Sequence, residues 1–210
     1  MKYDGIIKAI IILFVYLLIE IVVRLSFLLI KNSGINIPIE ILLILRSLTI
    51  LVLFLFYLFS TKNLAVSDLV IHYNYLIFFA IISLLLLFLE NFVFGDSLID
   101  PQELTQMQLK YIIFNSILVA PIVEEIICRK FILGSIGQSN IWIGLILSTT
   151  IFVLLHFQFS LIDVIVLTIY GLILGMCYIK TNSVINPILL HMMINAVQLS
   201  LYIFSNHLKV

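Results

Sequence analysis

Runs of roughly 20 mostly apolar residues follow one another along this chain, and a run of that length is what a helix needs to cross a bilayer. They fall near Ile6–Ile30, Ile39–Phe59, Tyr75–Phe94, Tyr111–Leu133, Ile141–Phe157, Ile162–Ile179 and Ile185–Phe204. In hydrocarbon every backbone N–H and C=O must find its partner within the protein, which leaves helices as the solution for segments this apolar. The expected fold is therefore all-α, a polytopic membrane bundle of about seven transmembrane helices. Composition agrees: only 10% of the 210 residues are charged, the mean hydropathy is +1.28, and soluble domains carry about 25% charged residues.

The breaks between runs are short and carry turn residues, at Asn32-Ser33-Gly34, Ser60-Thr61-Lys62-Asn63, Gly134 to Asn140 and Thr181-Asn182-Ser183. The longest polar break runs from Gly95 to Lys110 and contains Asp96, Asp100, Pro101 and Glu103. It separates an anchoring half, residues 1–95, from a motif-bearing half, residues 111–205, within one integral membrane domain. The first run lacks a small-residue cleavage site and contains Glu20 and Arg24, so it reads as a retained span rather than a signal peptide. Lysine and arginine placement favours an N-in, C-out orientation. A formal net charge of +0 and the lack of a basic stripe argue against nucleic acid as a partner. Cys128 and Cys177 form neither a disulfide framework nor a zinc-ligand spacing.

Within the fourth run stand Glu124, Glu125 and Arg129. Each charged side chain near a bilayer centre costs roughly 2.5–3.5 kcal/mol on insertion scales, so three together need partners. On a helix Glu125 and Arg129 are at i,i+4 and can pair, while Glu124 is turned about 100° away. The spacing suggests one carboxylate held by arginine and one left to face something else; a purely structural ion pair fits it equally well. Glu20 with Arg24, and Arg46 with Glu90, are expected to pair for bundle assembly. Gly171 and Gly175 make a GxxxG that lets another helix approach closely.

Phe152 and His156 share one helical face, as do His191 and Asn195. Two carboxylates, two histidines and an amide on three apolar spans could equip a water-activating site. Glu124 would take the proton of an attacking water and His156 would orient that water or bind a metal. His191 and Asn195 would donate to a developing oxyanion.

These residues, as Glu124-Glu125-x-x-x-Arg129, Phe152-x-x-x-His156 and His191-x-x-x-Asn195 in that order, resemble the CPBP family of intramembrane proteases. That family groups the prenyl-protein CAAX endopeptidases with bacteriocin-processing and immunity proteins. Gly171-x-x-x-Gly175, Tyr178-x-x-Thr181-x-Ser183 and Pro187-Ile188-Leu189-Leu190-His191 add to the resemblance, which covers about Tyr111 to Leu201. It implies a membrane endopeptidase in which Glu124 activates water with His156 as partner, and His191 and Asn195 stabilise the oxyanion. Glu125 and Arg129 match the first motif, and a supporting ion pair is their physical reading. No HExxH pair lies on one helix. No cofactor is favoured, although zinc or a similar divalent metal held by Glu124, His156 and His191 is possible. The expected substrate is a membrane-associated peptide or protein, such as a prenyl-protein-like tail, a bacteriocin leader or a signalling-peptide precursor, with the lipid bilayer as the other partner. The expected location is a bacterial cytoplasmic membrane. A self-immunity protein that binds within the membrane without proteolysis is the alternative, and a proton-coupled transporter a third.

One layout problem arises from the motifs. If Arg129 and Lys130 end the fourth span, Glu124 lies about 8 Å inside, whereas the fifth span would carry His156 about 22 Å from its own start. Three remedies exist: a fourth span continuing to about Gly134, a deep or tilted fifth span, or a kink at Pro121. The longer fourth span is preferred because it leaves Arg129 inside the bundle beside Glu125.

Overall fold

The computed structural model describes residues 4–32, 39–60, 62, 64–94, 106–156 and 160–207. Among them the chain forms seven helices, with a short 3-10 turn at Val66–Leu69. They are α1 (Asp4–Asn32), α2 (Ile39–Ser60), α3 (Tyr73–Phe94), α4 (from Gln106 to Ile136), α5 (Ile141–Leu155), α6 (Leu161–Thr181) and α7 (Ile185–His207). The described residues contain no strand, as expected for segments that must satisfy their own backbone in lipid.

By length and composition four of the helices can cross a membrane, over Ile10–Ile30, Tyr73–Glu90, Leu109–Ile136 and Leu161–Thr181. The other three are apolar but shorter, at Leu43–Phe59, Ile141–Leu155 and Ile185–Leu201. At 1.5 Å per residue the 15 residues of α5 span about 22 Å, less than a hydrocarbon core of about 30 Å. α5 is thus too short to cross on its own, and His156 follows directly after its last residue, as the C-cap.

α4 is built from five contiguous pieces: α-helix at Gln106–Ile112, π-helix at Ile113–Val119, α-helix at Ala120–Glu125, π-helix at Ile126–Leu133 and a last α turn at Gly134–Ile136. It continues past Arg129 and past Pro121 without ending, which resolves the layout problem in favour of the longer span. Proline has no N–H to give the ladder, and a π segment, in which the N–H groups bond five residues back, runs up to it.

The helices pack in two apolar clusters. Ile12 of α1 and Phe54 and Leu58 of α2 join Val123, Ile126 and Ile127 of α4 in one. Phe79 and Leu87 of α3 join Cys128, Phe152, Tyr170, Leu174, Leu190 and Ile194 in the other. α4 contributes to both and is the common wall.

Gly171 and Gly175 face α5. A Cβ on Gly171 would stand 2.9 Å from Thr149 Cγ2, and one on Gly175 would clash with Leu145 Cδ1. The GxxxG therefore serves close approach, as its spacing suggests. The connections follow turn chemistry too: Asn140 caps α5 by accepting from the N–H groups of Trp142 and Ile143, and Asn182 ends α6 in the left-handed conformation. The turn expected at residues 32–34 lies mostly outside the described residues. The long polar break is shorter than expected on its C-terminal side, because α4 begins at Gln106.

The expected Arg46–Glu90 pair is not formed. Glu90 accepts from the Tyr170 hydroxyl at 3.0 Å, and Arg46 reaches the Tyr111 hydroxyl at 3.5 Å. Neutral tyrosines on neighbouring helices meet these two charges more closely than the charges meet each other. The side chain of Glu20, and with it the expected pair with Arg24, lies outside the described residues.

Candidate active site

Three helices deliver the polar side chains: α4 brings Glu124, Glu125 and Arg129, α5 brings Ser148, Phe152 and His156, and α7 brings His191 and Asn195. Glu125 and Arg129 are both fully buried and joined, with Arg129 Nε 2.7 Å from Glu125 Oε2. Arg129 also donates from Nη1 to the Ser148 hydroxyl at 2.7 Å and lies 5.1 Å from the centre of the Phe152 ring. A guanidinium out of water needs such partners, since a buried charge left unpaired costs several kcal/mol. Ser148 had no spacing signal, because its partner lies nineteen residues away on another helix.

The second oxygen of Glu125, Oε1, lies 3.1 Å from His191 Nδ1. The Nδ1 of His156 lies 2.8 Å from the carbonyl of Phe152, one turn earlier on α5. A carbonyl and a carboxylate accept hydrogen bonds and do not donate them, so each ring carries its hydrogen on Nδ1. In the neutral ring Nε2 is then a lone pair.

Glu124 faces away from this pair, toward the histidines. His156 Nε2 is 3.8 Å from Glu124 Oε2, and one ligand atom each from Glu124, His156 and His191 lies within 4.8 Å of the others. Among the described residues, Glu124 Oε2 is a buried acceptor with no hydrogen-bond partner. The rings of His156 and His191 stand 6.4 Å apart at 24°, and Phe152 touches both, at 4.6 and 5.5 Å. Phe152 thus packs against both imidazoles.

Asn195 lies one turn beyond His191, and its Nδ2 donates to the backbone carbonyl of Ser116 on α4 at 2.7 Å. One of its two amide hydrogens is committed there.

This set can do two things chemically. A carboxylate and an imidazole lone pair 3.8 Å apart can both accept from one water and draw its proton away. The same atoms also fit a divalent metal. A metal-bound histidine typically donates its other N–H to a carboxylate or a backbone carbonyl, which is how His191 and His156 are held. A carboxylate with two imidazoles is a common ligand set for zinc.

Comparison with known families matches residues 106–197 to the family described as "Type II CAAX prenyl endopeptidase Rce1-like". The matched segment runs from the start of α4 into α7 and contains every residue of the cluster. It agrees with the resemblance to the CPBP family read from the three motifs. No curated protein and no solved structure matches the chain.

Proposed function

We propose, for an integral membrane protein whose residues 106–197 form a domain of the CPBP intramembrane-protease family, that it hydrolyses a peptide bond with water activated by Glu124. The observation that carries this reading is the division of labour between adjacent carboxylates. Glu125 is consumed by Arg129 and His191, while Glu124 is left facing His156 with an unpartnered oxygen.

In this mechanism a water donates one hydrogen to Glu124 and the other to His156 Nε2. Glu124 takes the first proton as the oxygen attacks the scissile carbonyl. His191, protonated, donates from Nε2 to the oxyanion while Nδ1–H stays on Glu125, whose charge is set by Arg129. Glu124 then passes its proton to the leaving amine, which restores the carboxylate and releases two peptides.

With both rings neutral each Nε2 carries a lone pair, and that form favours a second reading of the same site. A divalent metal held by Glu124, His156 and His191 would supply Lewis-acid polarisation of the carbonyl and a more acidic water when bound. Glu125 would then orient His191, and the Phe152 carbonyl would orient His156.

The substrate we propose is a membrane-associated peptide or protein, presented to a site walled by apolar helices, in a bacterial cytoplasmic membrane. A tail ending in a prenylated cysteine and three further residues is the first to try, given the family matched. The test is mass spectrometry of such peptides incubated with the purified protein in lipid, with and without dialysis against a strong chelator. The glutamate mechanism predicts cleavage that survives dialysis, with one 18O incorporated in the new carboxyl terminus from labelled water. Activity abolished by dialysis and restored by zinc, with metal near one per chain, would move the assignment to the metal reading. No cleavage of any membrane-tethered peptide would count against proteolysis.

A further inference from the structure

The contact between Asn195 and Ser116 has a cause in the backbone of α4. At the end of its first π segment the N–H of Ala120 bonds to the carbonyl of Asn115, five residues back. The next carbonyl, that of Ser116, would take an N–H from residue 120 in an α pattern or from residue 121 in a π pattern. The first is directed to Asn115, and the second does not exist, because residue 121 is proline. A backbone acceptor in the interior of a bundle is thereby deprived of its partner, and orphaned acceptors of this kind are rarely left so. Asn195 Nδ2 supplies the donor, at 2.7 Å, from α7.

We propose that Asn195 is a positioning residue: it clamps the carbonyl that Pro121 orphans and so fixes α7, with His191, against the stretch of α4 that carries Glu124. The geometry around it is consistent with a designed seam. Asn115, whose carbonyl receives the displaced N–H, is held through its side chain by the Ser47 hydroxyl at 2.9 Å, which ties the same π segment to α2. The π segment is thus gripped from both sides, by Ser47 and by Asn195, at points nine and eight residues before Glu124. Asn195 and His191 lie one turn apart on α7, and Glu124 lies one turn after Ala120 on α4. A shift at the clamp therefore moves the two halves of the site relative to each other.

This inference deepens the proteolytic reading and rests on it for its kinetic arm; its thermal arm stands without any activity. The test is a double-mutant cycle between Pro121→Ala and Asn195→Ala in the full chain in lipid or detergent. Alanine restores an N–H at position 121, five residues after Ser116, and continuing the preceding π pattern by one residue would give that carbonyl a backbone partner. In the native background Asn195→Ala should lower kcat by up to about 10²-fold, the effect of a misplacement of about 1 Å, with KM little changed. In the Pro121→Ala background the same substitution should cost less than about 3-fold, within the error of non-interacting sites. The melting midpoint should follow the same pattern: a clear drop on Asn195→Ala with Pro121 present, and a much smaller one without it.

If Asn195 instead acts on substrate through an oxyanion contact, its loss is the same whichever residue stands at 121. Equal losses in both backgrounds, or no loss in either, overturn the clamp. Should Pro121→Ala not give folded protein, the 13C shift of the labelled Ser116 carbonyl, compared between native and Asn195→Ala chains, answers the same question. A moved resonance supports the clamp, and an unmoved one overturns it.

Discussion

Glu124 and Glu125 are neighbours in sequence and opposites in circumstance. Glu125 is fully buried, with Arg129 on one oxygen and His191 on the other. Glu124 keeps an oxygen without a hydrogen-bond partner among the described residues, 3.8 Å from His156. Their substitutions should therefore fail in different ways. Arg129→Met strands Glu125 and the Ser148 hydroxyl in the interior. Breaking a buried pair costs about 3–5 kcal/mol in soluble proteins, and the lower end suits a membrane interior, where the unfolded reference also finds partners. Glu124→Gln removes no ion pair and keeps the shape. Thermal melts in detergent should show a marked loss for Arg129→Met and little for Glu124→Gln; equal midpoints would contradict the division. The Glu125–Arg129 pair was legible in the sequence because i,i+4 spacing is a local rule. Ser148 and the Nδ1 partners of the two histidines were not, since hydrogen bonds to a carbonyl or across helices leave no periodic trace.

At the scale of elements, α4 does the most to place the site, and its departures from α geometry are what the sequence conveyed least. Pro121 was recognised as a break in the backbone ladder, with a kink as one outcome. A π segment leads up to it, and a second π segment follows from Ile126 to Leu133. Nothing in an apolar run distinguishes 3.6 from a wider turn, because nearly every position is hydrophobic in either register. The GxxxG of α6 was more legible, since small residues at i,i+4 expose one helical face whatever the neighbour. Its neighbour is α5, which carries Ser148 and His156, so crowding this contact reaches the site. Gly175→Leu would drive a side chain into Leu145 and toward Arg129 Nη1, 3.7 Å from the added Cβ. Overpacking of this kind costs about 1–3 kcal/mol or more. The variant should melt lower and lose activity, whereas Leu172→Ala, on an exposed position of the same helix, should do neither. Circular dichroism melts and cleavage rates on the two variants check this.

At the scale of the whole molecule, the all-α class and the number of helices among the described residues followed from segment length, because bilayers set length. Which helices touch did not follow. In water an amphipathic stripe marks the buried face, but in lipid both the outward and the inward faces are apolar, and the stripe fades. Phe14, Phe56 and Phe88 are exposed, while Ile12, Phe54 and Leu87 on the same helices are buried, and composition does not tell them apart. The consequence is that α1 and α2, which read as plain anchors, share an apolar cluster with Val123 and Ile127 on either side of the two glutamates. The site is thus carried by the bundle rather than by its motif-bearing half alone. Its central claim is that Glu124, and not Glu125, moves the proton of the attacking water. The most direct measurement is the single-turnover cleavage rate of a membrane-tethered peptide by purified Glu124→Gln protein in liposomes, beside the unsubstituted chain. With Glu124 as the base, the variant stays folded and its rate falls by about 10²–10⁴, the usual worth of a positioned general base. Cleavage by Glu124→Gln at close to the unsubstituted rate would contradict it.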